Sequence, residues 1–426
     1  PNEILANICA HAIDDHRDNE RWQDGKEWLG AVRLSCKQLY SPATFEFSQR
    51  FLENIYVGMI DNSHEAMLDI CAHPLIGPCV HGINVDTYRL DALSATCLPK
   101  ELTDSITSRD TKQMRAKTLQ IQEYVDACRE EFDLEDSGRA EDCLAEAFKL
   151  LKQYKKPINM GLMASTHEVP IGYTSGGTCG WNYQLKSTFR ILLTAAQRSQ
   201  CSINKFYCRI PDVNFDFKAA EESSPDIDMV EIARGVDIFT NTQCIKLDIY
   251  SHVPQFIAGL CAVVESATNI SELGLRYSVD GYDIYNAKAS CQTTEAVFSS
   301  LCSGNLQRIT LRSLVSKPKL LKEFLIEHRS TLKEVSFDTV TLVGTWDELL
   351  EWIRDNLCLQ KLSLSSMYRM DASEFEDDTL EHSAEDWYDF RAPNFLWNGP
   401  ENIRLGLDQL LKNKRKKYEE HGQGEL

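Results

Sequence analysis

Four residues of this 426-residue chain have the types of a zinc site: Cys71, His73, Cys79 and His81. Zinc would take two thiolates and two imidazoles, but a Cys-x-His pair is shorter than the two-to-four-residue gap that lets both ligands of a knuckle reach one ion. His167 and Cys179 have the types of a thiol nucleophile and its base, yet nothing near them in sequence supplies an orienting third group or an oxyanion donor. The glycine-rich run Tyr173 to Gly180 lacks the Gly-Lys-Ser/Thr of a phosphate cradle and follows no apolar strand. Asp377-Asp378 sits in a polar stretch where nothing would separate the two carboxyl pKa values. No catalytic residue, metal or cofactor is therefore expected, and the chain is not read as an enzyme.

A binding chemistry is better supported. One short phrase, apolar-x-x-apolar-x-apolar, occurs as Leu306-x-x-Ile309-x-Leu311, Leu332-x-x-Val335-x-Phe337 and Leu359-x-x-Leu362-x-Leu364. It recurs upstream from Leu52, Val80, Ile203, Thr242 and Ile270. The last starts lie 26 and then 27 positions apart, the period of a leucine-rich repeat with one strand and one helix per unit. Alternation along a strand turns the apolar residues inward and the residues between them outward, along the concave face of such an array. That exposed row contains Lys205, Tyr207, Arg209, Lys246, Asp248, Tyr250, Glu272, Arg276, Arg308, Thr310, Arg312, Glu334, Ser336, Asp338, Lys361 and Ser363. Its surplus of basic residues contrasts with a formal charge of -19 for the chain. The expected target-binding surface is Lys205, Tyr207, Arg209, Lys246, Tyr250, Arg276, Arg308 and Arg312. It is densest at Arg276, Arg308 and Arg312, a locally electropositive groove suited to an acidic or phosphorylated segment through guanidinium forks.

Helices must separate these strands. Lys317 to Arg329 carries Leu320, Leu321, Phe324 and Leu325 on one face, and Thr345 with Glu348 reads as a capping box for the helix that follows. Asn62 and Glu65 are placed to cap another. A single strand and helix cannot bury both apolar faces, whereas stacked neighbours can. The fifteen cysteines lack the spacing of a disulfide framework, and no uncharged apolar run of 18 residues exists, so a soluble, reduced compartment is expected, cytoplasmic or nuclear. Net acidity argues against duplex nucleic acid as a partner, since such binding rests on neutralising phosphates with Lys and Arg. No signal peptide is visible, and because the chain starts at Pro1, removal of something upstream is expected.

At the start, Pro1 to Ile13 and Glu27 to Tyr40 have helical spacing, the second expected to end before Ser41-Pro42. Here Pro1-Asn-Glu-Ile4-Leu5-Ala-Asn-Ile8, followed by Val32-Arg-Leu34-Ser-Cys36-Lys37-Gln-Leu39, resembles the F-box. The whole chain is similar to the fungal F-box proteins with C-terminal leucine-rich repeats. Two departures stand out: no Leu precedes Pro1, and Asp14 to Lys26 is longer and more polar than the usual link between the helices. The resemblance implies an α/β fold with a helical head and an irregular solenoid, parallel strands on the concave face and helices on the convex one. It implies docking on a Skp-type adaptor, and through it a cullin-RING ligase, by Pro1, Ile4, Leu5, Ile8, Leu34, Cys36 and Leu39, with Lys37 beside them. It also makes His73-Pro74-Leu75 a helix-to-strand turn. The implied function is that of a substrate-recognition subunit of a Skp-cullin-F-box ubiquitin ligase. The alternative is a repeat scaffold outside any ligase.

The organisation that follows is an F-box-like head (1–48), first repeats (49–110), a helical-hairpin insertion (111–156), the solenoid (157–370) and a tail (371–426). The insertion explains a 123-residue gap between the phrases at Val80 and Ile203. The stretch from Pro157 to Trp181 is expected to be loop-rich. The tail is acidic, then aromatic, and ends in a short helix from Ile403 to Leu411 before a basic run, Lys412 to Lys417. No membrane partner is expected.

Overall fold

Strand, helix and parallel strand alternate along the chain, as a phrase of period two followed by a stretch of helical period requires. The computed structural model describes residues 31–32, 35, 37–90, 111–163, 181–183, 185–209, 230, 237–249, 254–277, 284–370, 375 and 394–421. The fold is α/β, its strands mostly parallel, with two compact units. The first comprises Pro1–Ile203 with Phe215–Ile227, and the second Asn204–Asn214 with Asp228–Leu426.

In the first unit, helix α1 (Lys37–Phe51) leads to β1 (Asn54–Val57), α2 (Asp61–Ala72) and β2 (Gly82–Asp86). After β3 (Tyr88–Leu90) come two long helices, α3 (Thr111–Asp136) and α4 (Arg139–Gln153), then β4 (Ile158–Met163), β5 (Trp181–Tyr183) and α5 (Leu185–Ser199). β2 pairs in parallel with β1 on one side and β4 on the other, while β3 and β5 pair antiparallel. In β1 and β2 the phrase residues Ile55, Val57, Ile83 and Val85 are fully buried, as the alternation requires.

Three expectations need correction here. Helix α1 does not stop before Ser41-Pro42 but runs through Pro42 to Phe51. Ala43 is buried there against Val32, Phe47 and Phe51, apolar packing that offsets the hydrogen bond that proline removes. The span from Pro157 is not loop throughout, because β4 occupies its start with Ile158, Met160 and Leu162 buried. Aligned with the phrase through Ile83↔Met160 and Val85↔Leu162, β4 has Pro157 where the first apolar residue belongs. The 123-residue gap therefore hides a strand. The expected hairpin is present, joined through Gly138 at φ 74, a left-handed turn that glycine adopts without steric cost. Its second helix, α4, is tied to α5 by Arg190–Glu141 at 2.5 Å and Arg198–Asp142 at 2.6 Å. Lastly, α2 is not capped by Asn62: the Asp61 amide donates instead to the Glu130 carboxylate of α3, at 2.9 Å.

Gly82 shows why β1, β2 and β4 approach as they do. It lies between Asn54 and Asn159 in register, and a Cβ on it would meet the Asn54 Oδ1 position at 2.5 Å and Asn159 Cβ at 2.7 Å. In the space left open, the Asn159 amide donates across the strand to Asn54 at 3.2 Å.

In the second unit the strands are β6 (Ile203–Arg209), β7 (Cys244–Ile249), β8 (Glu272–Tyr277), β9 (Arg308–Arg312), β11 (Glu334–Asp338) and β13 (Lys361–Ser365), each parallel to the next. Helices α6 (Pro254–Ser266), α7 (Ile284–Ser300), α8 (Pro318–His328) and α9 (Asp347–Asn356) connect β7 through β13 in turn. Between strand and helix, β10 (Val315–Ser316), β12 (Thr341–Val343) and β14 (Tyr368–Met370) form a second parallel sheet. The chain turns from one sheet to the other through Ser313, Thr339 and Ser366, all left-handed, at φ 48, 59 and 47. The amides of Ser313 and Thr339 donate to Asp338 O and Ser365 O, both at 2.8 Å, so each turn is held by the next strand along.

The proposed Thr345 cap is also absent. Helix α9 starts after Trp346, which is buried, packs against Phe337 at 5.6 Å between ring centroids and donates its indole N–H to Tyr368 O at 2.8 Å. The fold also continues past Leu364. β15 (Phe395–Asn398) pairs antiparallel with β13, and α10 (Pro400–His421), longer than the expected 403–411, buries Leu407, Leu410 and Leu411. The α10 carboxylate Asp408 pairs with Arg354 at 2.8 Å. Among the described residues, no helix is long and apolar enough to cross a membrane.

His64 in α2 is buried, and neither ring nitrogen has a hydrogen-bond partner among the described residues. Burial, then Arg89 and Arg139, hold its pKa down to about 4, with Asp61 opposing them. The folded state therefore keeps the ring neutral, and the unfolded chain takes up a proton first as pH falls below 6.5, so stability is lost on acidification from 6.5 toward 4. Urea unfolding at about pH 7.5 and about pH 5 should show wild type losing about 2 kcal/mol more than His64→Leu over that interval.

Candidate functional site

Parallel pairing in register brings the same position of successive phrases side by side, so the outward residues of β6 to β13 form three rows. The first runs Lys205, Cys244, Glu272, Arg308, Glu334, Lys361, with Cys244 buried. The second runs Tyr207, Lys246, Gly274, Thr310, Ser336, Ser363. The third runs Arg209, Asp248, Arg276, Arg312, Asp338, Ser365. From Gly274 to Ser363 a floor of small side chains thus lies between two charged rails, with Tyr207 and Lys246 at its β6 and β7 end.

From Glu272 on, the first rail alternates in sign, and Arg308 closes it with ion pairs to both neighbours. Arg308 makes a fork on Glu334, Nε to Oε2 at 2.9 Å and Nη2 to Oε1 at 3.0 Å, and reaches Glu272 through Nη1 at 2.9 Å. Lys246 crosses from the floor to Glu272 at 2.9 Å, its ammonium 5.9 Å from the centre of the Tyr207 ring. The Arg308 hydrogen bond holds Glu334 below the usual glutamate range. At Glu272 burial pushes upward, but hydrogen bonds and charge from Lys246 and Arg308 outweigh it and the net shift is down.

The third rail is less evenly matched. Asp248 sits 3.3 Å from Arg276 Nη1 and 3.9 Å from Arg209 Nε. Arg312 Nε donates to Asp338 at 2.5 Å. Burial raises the Asp248 pKa against the pull of Arg276, Arg209 and Arg312. Three guanidiniums share two carboxylates along this row.

The expected target-binding residues are thus divided. Arg308 is engaged on both sides by carboxylates, whereas Arg276 and Arg312 are neighbours in register with no carboxylate between them. Lys205 and Tyr207 are half-buried on β6, Arg209 is exposed, and Tyr250 lies outside the described residues. Gly274 and the pairing of acids with bases were legible only through the register, which requires knowing that the phrases stack without offset. Of the expected adaptor-docking set, Pro1, Ile4, Leu5, Ile8, Leu34 and Cys36 lie outside the described residues, and Lys37 and Leu39 are on α1.

The remaining chemistry sorts similarly. His73 Nδ1 accepts from the Leu75 and Ile76 amides at 3.2 and 3.3 Å, holding the helix-to-strand turn. Cys71 is buried, with its thiol pushed up to about 12 by desolvation, and Cys79 donates to Leu75 O. No group of three or more metal-ligating side chains occurs among the described residues. His167, Cys179, the glycine run 173–180 and Asp377-Asp378 lie outside them. Comparison of the chain with protein-family models and with curated proteins gives no match.

Because Arg308 serves two carboxylates, Arg308→Gln should cost about 1 kcal/mol in urea unfolding, shrinking in high salt as expected for partly exposed charges. Glu334 has a depressed folded pKa, so its share is present above the ordinary value of 4.5 and is lost as pH falls through the lower folded value. The difference between wild type and Arg308→Gln should therefore narrow in acid.

Proposed function

We propose that this chain is the substrate-recognition subunit of a Skp-cullin-F-box ubiquitin ligase. In this reading the helices of the first 48 residues dock on a Skp-type adaptor, and a leucine-rich-repeat solenoid holds a target protein on its concave face. The observation that carries it is the recurrence of one strand phrase in exact parallel register from β7 to β13, with one helix between successive strands. That is the unit from which repeat arrays are built. The head is assigned by the likeness of Pro1 to Ile8 and Val32 to Leu39 to the F-box.

The two parts explain one another. In the sequence, Ile4, Leu5, Ile8 and Leu34 fall at the positions that the F-box likeness assigns to adaptor docking. A sheet face whose outward side chains are charged and small, and on which no described helix residue pairs with Arg276 or Arg312, leaves room for a target. No residue of this chain performs covalent chemistry in this scheme. Its contribution is to convert an encounter between target and ubiquitin-loaded enzyme into a reaction within one assembly.

The test is capture of a Skp-type adaptor by this chain, compared with Leu5→Asp/Ile8→Asp. The expected result is binding by wild type and at least about a tenfold loss in the variant, since two carboxylates would have to be desolvated in an apolar interface. Equal capture by both, or by neither, would refute the ligase reading and favour the repeat scaffold.

A further inference from the structure

β15 is the last strand of its sheet, and among the described residues no strand pairs with its far side. An open edge is a template for another chain, and proteins ordinarily blunt it with lysine, proline or a bulge. β15 has none of these: Phe395-Leu396-Trp397-Asn398 is uncharged and pairs with β13 without interruption. It carries Leu396 at 56% exposure, and α10, which follows directly, carries Leu405 at 67%.

The register decides which backbone groups of this edge are open. The Lys361 amide donates to Lys333 O on the β11 side, so Lys361 and Asn398 form a pair without mutual hydrogen bonds. Leu362 with Trp397 and Leu364 with Phe395 are then the bonded pairs, and the Gly399 amide, donating to Gln360 O at 2.8 Å, continues the alternation. The N–H and C=O of Leu396 and the N–H of Asn398 consequently turn to the open side, where Asn398 O accepts from the Asn402 side chain at 2.9 Å. The strand is held from behind. Trp397 stacks on Phe395 with ring centroids 5.2 Å apart, and its indole fills the space that α10 leaves at Gly406, where a Cβ would collide with Nε1.

The residues of this edge read the same in both directions. Asn394, Phe395, Leu396, Trp397 and Asn398 are amide, aromatic, leucine, aromatic, amide, bounded by Pro393 on one side and Gly399-Pro400 on the other. We infer that β15 is a self-association edge, pairing antiparallel with β15 of a second copy about a two-fold axis through Leu396. Such an axis brings like onto like, the condition for an isologous interface. Leu396 exchanges both main-chain hydrogen bonds with its own copy and lies beside it on the outward face. Asn394 meets Asn398 of the other copy, amide to amide. On the inner face each Phe395 comes beside Trp397 of the other copy at a position without mutual hydrogen bonds, where cross-strand side chains approach most closely. Proline at either end keeps the pairing short, and the axis uses up the edge, so the assembly closes at two. This inference is independent of the ligase reading, which uses neither β15 nor α10.

The full chain would be followed by sedimentation equilibrium from micromolar to submillimolar concentration. A reversible equilibrium between monomer and dimer, with no larger species, is expected. Leu396→Lys sets two like charges face to face on the axis and should weaken the dimer at least about tenfold, with the melting transition unchanged because the side chain is exposed. Two further variants report the register. Asn394→Asp/Asn398→Asp opposes like charges at both ends and should also weaken the dimer at least about tenfold. Asn394→Lys/Asn398→Asp opposes unlike charges at the same places and should stay within about threefold of wild type, weakening as salt is added. A chain that is monomeric throughout would overturn the inference and leave the edge to a strand of another protein. A dimer indifferent to Leu396→Lys, or one that treats the two double variants alike, would overturn this pairing, and assemblies larger than two would overturn the closure.

Discussion

The constraint on which the second unit depends is that its strands pair in parallel with no offset, so that each phrase position meets the same position of its neighbour. Ile245, Leu273, Ile309, Val335 and Leu362 are stacked in one buried row by that rule, and Leu247, Leu275, Leu311, Phe337 and Leu364 in another. A slip of one residue would turn both rows to solvent and the charged rails inward. The interior and the outward charged face are consequently set by the same alignment. A side chain on one face cannot move to a new neighbour without its counterpart on the other face moving too.

Electrostatics on the outward face follows from this geometry. Where acid and base alternate along a row, every charge has an opposite neighbour roughly one strand spacing away, about 4.8 Å, and the row stabilises the sheet that displays it. Arg308 with its two glutamates represents that arrangement. Arg276 beside Arg312 represents the opposite, a local conflict that the fold tolerates. Conflicts of this kind are where a structure departs from consistency at every level, and such departures collect at sites with a task other than stability.

Much of this was legible in the sequence because the signal was periodic. The eight phrases each proved to be strands, and the helices expected over Lys317 to Arg329, after Thr345 and across the insertion are present, whereas α6 and α7 were not anticipated. The misses have physical causes. β4 was hidden because Pro157 stands where the phrase begins with an apolar residue, which removes the first letter of the pattern while leaving the strand's buried alternation intact. The cap on α2 comes from Glu130, 69 residues away, and no local rule reaches that far. Ser313, Thr339 and Ser366 adopt the left-handed region without being glycine or asparagine, so composition gave no hint of the turn into the second sheet; the Ser313 and Thr339 amides bond to the next strand along. Alternation alone placed these residues on one strand face, but which arginines are neutralised depends on register, a property of pairs of strands rather than of any one.

β15 changes the character of the final strand. It meets β13 antiparallel, Leu362 opposite Trp397 and Leu364 opposite Phe395, and α10 follows it directly. A parallel array presents at its last strand the template for one more copy of itself, including a copy supplied by another molecule. By laying a strand of reversed direction on that template, the chain ends the series in a form that the repeat cannot extend. The number of parallel strands in this face is thereby fixed by the chain itself, and any strand added beyond β15 would meet a partner of reversed direction.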